Sequence, residues 1–144
     1  MNVVEAAGLS KRYRRTWALR DCTLAVPAGH VVALVGPNGA GKTTLLNLAV
    51  GLTAPTAGSV TVLRGEQAGS PAARSGIAFV AQDAPLYPNL SVADTLHLAR
   101  NLNLRWDQRC AAGRLAELGI PRGRKVGKLS GGQQAQLALT LAVA

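Results

Sequence analysis

The chain has 144 residues, 48% of them apolar, which matches one ordinary globular domain and excludes a disordered chain. Only five residues are aromatic, so the core is expected to be aliphatic, and no apolar run nears the roughly 18 residues needed to cross a bilayer. Sixteen basic against seven acidic side chains give a net charge of +9.

The charge is spread, +4 over residues 1–72 and +5 over residues 73–144, and clusters only at Lys11 to Arg15 and Arg122 to Lys128. With no aromatic residues interleaved for base stacking, solvated surface charge is the better reading and a nucleic-acid partner is disfavoured. Glu5 and Gly8 interrupt the region where an export signal needs a basic start and a continuous apolar centre, so a cytoplasmic location is expected. Cys22 and Cys110 stand apart with no clustered His. They read as buried small apolar residues, not as a metal site or a disulfide.

In chain order, Val3 to Ala7 and Thr23 to Val26 flank a basic loop containing Tyr13 and suggest short antiparallel strands. Val31 to Val35, V-V-A-L-V, shows no alternation. It reads as a strand buried on both faces, as in a parallel sheet. A glycine loop follows, then a helical pattern through Leu45, Leu46, Leu48 and Ala49 that ends near Gly51. Ser59 to Leu63 and Ile77 to Val80 are two further predicted strands. From Ser91 and Asp107, both placed as N-caps, Val92 to Leu102 and Gln108 to Leu118 follow helical spacing. A last helix begins at Ser130 and is still running at Ala144.

Gly36-Pro37-Asn38-Gly39-Ala40-Gly41-Lys42-Thr43 fits G-x-x-x-x-G-K-[ST] without a mismatch, between a predicted strand and a predicted helix. Phosphates need many donors in a small space. Glycines at 36, 39 and 41 let successive backbone N–H groups converge, and the following helix aims its N-terminus at the anion. Lys42 would reach the terminal phosphates, and the Thr43 hydroxyl would coordinate Mg²⁺. Leu129-Ser130-Gly131-Gly132-Gln133 contains a capping box, Ser130 with Gln133, which by itself would start a helix. Two glycines in that first turn cost helix propensity of about 1 kcal/mol each, which makes sense if another group must approach the backbone closely.

The phosphate loop from Gly36 to Thr44, Gln82 in I-A-F-V-A-Q-D and L-S-G-G-Q at 129–133 occur in the order and spacing of the ATP-binding cassette (ABC) transporter nucleotide-binding domain, which the whole chain resembles. The resemblance implies an α/β fold, a partial ABC ATPase domain of the P-loop NTPase class. Residues 1–90 would form a strand-rich core, 91–128 a helical subdomain and 129–144 the signature helix. It implies ATP and Mg²⁺ as cofactors, with Tyr13 stacking on adenine and residues Gly36 to Thr44 holding the phosphates. Gln82, with Thr43, would reach Mg²⁺. Ser130, Gly131, Gly132 and Gln133 would contact the ATP of a second subunit in a head-to-tail dimer. Asp83 to Leu96 would receive a separate membrane permease, placing the protein on the inner face of the cell membrane.

Departures from the pattern are Gln134 and Gln136, where basic residues are usual, His30 in place of an acid, and Arg64 in place of a glycine. At Arg64 a positive φ would be strained. No Asp or Glu follows Glu117, and neither His30 nor His97 is placed as the family's switch residue, so the Walker B aspartate, the catalytic glutamate and the switch histidine of the family have no counterpart. The leading expectation is a truncated piece of a transporter ATPase subunit, whose missing aspartate strand would leave core surface uncovered and which is not expected to hydrolyse ATP alone. The alternatives are a non-hydrolysing ATP-binding module or inert dimer partner, and a soluble ABC protein acting on nucleic acid.

Overall fold

The computed structural model describes residues 1–144, which divide into two compact units, Met1–Ile77 and Ala78–Ala144. In the first, β1 (Asn2–Tyr13) and β2 (Thr16–Pro27) form a long antiparallel hairpin, turned at Arg14 and Arg15, with Arg14 at φ 55°. The helix α1 (Lys42–Ala49) leads to β3 (Ala57–Val62) and the two-residue β4 (Glu66–Gln67), giving a wholly antiparallel sheet in the order β2-β1-β3-β4. A short helix α2 (Pro71–Ser75) closes the unit. Its core is aliphatic: Leu9, Leu45, Leu48, Val60 and Val62 are buried together.

The expected strand at Val31 to Val35, buried on both faces, and the expected strand at Ile77 to Val80 are both corrected by this arrangement. Val31 to Val35 and Ile77 to Val80 lie outside every strand, and Val31, Val32, Leu34, Val35, Phe79 and Val80 are exposed. Neither segment finds a neighbouring strand among these residues. An apolar sequence forms a strand only where another backbone completes its ladder.

In the second unit, α3 (Val92–Leu102), α4 (Gln108–Leu118) and α5 (Gly131–Val143) enclose Val92, Leu96, Ala111, Leu115, Val126 and Leu137. The division falls before the passage near residue 90 where the sequence changes character. The reason is that 78–90 is tied into this unit: Val126 N–H donates to the Leu90 carbonyl at 2.9 Å and Gly127 N–H to Pro88 at 3.0 Å. Helix starts follow side-chain chemistry: Ser70, Ser91, Asp107 and Ser130 cap α2, α3, α4 and α5, each accepting a backbone N–H of the first turn.

Two local readings also change. Cys22 and Cys110 are half-buried, not buried. At the Arg64 turn the positive φ falls on its neighbours, Leu63 at 57° and Gly65 at 91°, so the arginine escapes the strain. No helix is long and apolar enough to cross a membrane.

Candidate nucleotide site

The phosphate-loop residues lie in the first unit and form an open loop ahead of α1. Gly41, at φ 96°, is the N-cap of that helix and offers no side-chain cap, and the first turn contains no acidic residue. Alone among the five helices, α1 therefore begins without a single first-turn N–H satisfied by a side chain. Lys42 folds back over the loop, its ammonium donating to the carbonyls of Gly36 and of Pro37, the latter at 2.7 Å. The loop is closed by Ala40 N–H donating to Pro37 at 3.2 Å, and Thr43 is exposed. Free donors and an ammonium thus lie together at the loop, the electrostatics an anion requires.

Gly41 does a second job. A Cβ there would collide with the carbonyl oxygen of Ala18 and stand 3.3 Å from Leu19 Cδ1, so the β1–β2 hairpin packs directly on the phosphate loop. Tyr13 sits at the tip of that hairpin, 48% exposed, with the Lys11 ammonium 5.2 Å from its ring centre. Trp17 is nearby on β2, with the Arg12 and Arg20 guanidinium groups 5.5 and 5.6 Å from its ring centre. The basic cluster therefore does contain interleaved aromatic residues, contrary to its sequence reading. The cations bear most heavily on Trp17, which leaves Tyr13 the more open ring.

Gln82 and the 129–133 motif belong to the second unit. Gln82 is exposed in a turn closed by Ala84 N–H donating to Ala81 at 3.0 Å, with Ala84 at φ 40°. At the motif the expected capping box is formed: Gln133 N–H donates to Ser130 Oγ and Ser130 N–H to Gln133 Oε1, each at 3.1 Å. A Cβ at Gly131 or Gly132 would meet nothing within 4 Å, so no packing inside the chain demands glycine at either position. Gln134, read from sequence only as a surface departure, is half-buried and braces the motif. Its Nε2 donates to the carbonyls of Val126 at 3.2 Å and Leu129 at 3.3 Å. The signal available in sequence was its place one residue past the capping box, where a helical side chain points back over the preceding turn.

Asp83, Pro85, Tyr87, Pro88 and Asn89 are exposed, whereas Val92 and Leu96 within the same predicted docking stretch are buried in the helical core. No group of three or more His, Cys, Asp or Glu side chains gathers to hold a metal.

Residues 19–144 match the family model described as ABC transporter, seven-eighths of the sequence. The chain belongs to the ABC transporter family. Its fold agrees: a solved ATP-binding subunit of an ABC transporter superposes with a TM-score of 0.83 at 26% identity, over 97% of this chain and 61% of that one. The dimeric ATP-binding cassette MJ0796 bound to ADP and Pi gives 0.80 at 26% identity, over 98% of this chain and 69% of that one. These matches make the architecture part of a P-loop ABC ATPase domain.

Among curated ABC proteins, the Fe(3+) ions import ATP-binding protein FbpC of Mesorhizobium japonicum is 39% identical over the whole of this chain. The sulfate/thiosulfate import ATP-binding protein CysA 2 of Chromobacterium violaceum is 38% identical over 94% of it. This ABC chain spans 42% and 38% of the lengths of those two relatives.

Proposed function

We propose that this chain is the nucleotide-binding part of an ABC import ATPase subunit, holding ATP through its phosphate loop for a transporter whose membrane component is a separate protein. The observation that carries the reading is the α1 N-terminus: the one α-helix start without a side-chain cap follows the glycine loop and has Lys42 folded over it. In this reading residues Gly36 to Thr44 bind the phosphates and Tyr13 stacks on the base. Ser130 to Gln133 present the free N–H groups of Gly131 and Gly132 to nucleotide on a second subunit, for which open space at both glycines leaves room.

Magnesium suits the donors available. In this reading Thr43, beside the phosphate loop, offers it a hydroxyl. Nucleotide phosphates and water would complete the shell of a hard cation that keeps much of its hydration. When bound, the ion neutralises charge on the terminal phosphates. The exposed stretch around Asp83 to Tyr87 is the proposed permease contact, which would hold the protein at the inner face of the membrane.

These 144 residues supply binding groups but no acidic residue after Glu117 to act as base or metal ligand. Their expected behaviour is therefore nucleotide binding without turnover. Thermal unfolding of the chain with and without Mg-ATP, followed by a phosphate-release assay, tests this. A cooperative transition raised by nucleotide with no release supports it, whereas release abolished by Lys42→Ala contradicts it.

A further inference from the structure

We infer that Lys11 is a positioning residue for base recognition, bracing Tyr13 so that one ring face is fixed toward the nucleotide base. The inference rests on the proposed role of Tyr13 as the base-stacking side chain. Lys11 makes two contacts at once. Its ammonium lies 5.2 Å from the Tyr13 ring centre and donates to the Ala54 carbonyl at 2.6 Å. That carbonyl belongs to a segment stitched to the end of β1 by two more bonds, Thr56 N–H to Ser10 at 2.8 Å and Arg12 N–H to Thr56 Oγ1 at 3.0 Å. The same segment descends from α1, whose C-terminal turn holds it through Leu52 N–H donating to Asn47 at 2.9 Å. A continuous path thus runs from the helix that opens the phosphate site, through Ala54 and Lys11, to the tyrosine ring.

The cation occupies one π-face and leaves the other for a base. A ring held by a tethered ammonium loses less freedom on stacking than an exposed tyrosine would. Lys11 touches neither phosphate nor base in this account, so its effect must be confined to ligands that carry a base.

The test is calorimetric titration of the chain with Mg-ATP and, separately, with Mg-tripolyphosphate, which has the phosphates and no base. Lys11→Met is expected to weaken ATP binding about three- to tenfold and leave tripolyphosphate binding unchanged. Lys11→Arg, keeping a cation, restores ATP affinity, and in a Tyr13→Ala background Lys11→Met has no further effect. Equal loss for both ligands would mean a general structural role through Ala54 and would overturn the inference, as would no loss for either. If instead Tyr13→Ala leaves ATP affinity unchanged, the assignment of Tyr13 falls and the brace with it, while the phosphate loop is judged by tripolyphosphate alone.

Discussion

The Lys42 ammonium donates to the Pro37 carbonyl at 2.7 Å, so the side chain that would meet the terminal phosphates is already held inside the loop that would cradle them. Replacing it removes a point charge and leaves the core untouched, since Lys42 stands outside both buried clusters. Lys42→Ala should therefore fold as the parent does and lose at least half of its response to ligand. At a nucleotide concentration 100 times Kd, linkage gives about 2.7 kcal/mol of stabilisation. For a chain of this size that is a shift of about 5 to 10 °C in Tm. Differential scanning fluorimetry should record it for the parent and, for a variant that binds about tenfold more weakly, a shift of about half that size or less.

Glycines 39 and 41 both have positive φ, 82° and 96°, but only Gly41 is walled in by the Ala18 carbonyl. Gly39→Ala is expected to cost about 1 kcal/mol of backbone strain, while Gly41→Ala adds a collision with β2 for a total of about 2 to 4 kcal/mol. Urea unfolding of the two variants checks the ordering. Equal costs would show that the hairpin does not lean on the loop.

At the second motif, the open space around Gly131 and Gly132 separates stability from recognition. Gly→Ala at either should stabilise the chain by about 1 kcal/mol through helix propensity. Ser130→Ala should destabilise it by about 1 kcal/mol by deleting the cap. Thermal unfolding of the three variants reads both signs.

Ala84 holds φ 40° in the turn that carries Gln82. Ala84→Gly relieves a left-handed conformation that an L-residue adopts at a cost, and should raise stability by about 0.5 to 1 kcal/mol in denaturant titration.

Motifs, caps and helices were legible because each depends on residues close in sequence. Ser91 and Ser130 announced their helix starts, and the glycine loop announced its own geometry. The fate of Val31 to Val35 was not legible, because a strand's existence depends on a partner that no local pattern contains. The apolar run was read as a strand buried on both faces and instead lies exposed, outside every ladder. The brace from Lys11 to Ala54 was hidden for the same reason, since it joins residues 43 apart in sequence. Amide hydrogen exchange should follow this division: fast at Val31 to Val35, whose backbone lies outside the sheet, and slow along the paired residues Val4 to Ala6 of β1.

The central claim is that the Gly36 to Thr44 loop of this chain binds nucleoside triphosphate. Titration of the purified chain with Mg-ATP, beside Lys42→Ala, tests it most directly. The expected result is saturable one-to-one binding by the parent that is at least about tenfold weaker in the variant, the loss of one charge-assisted contact of about 1.5 to 3 kcal/mol. Equal affinity in parent and variant, or no saturable binding by a folded parent, would contradict the account.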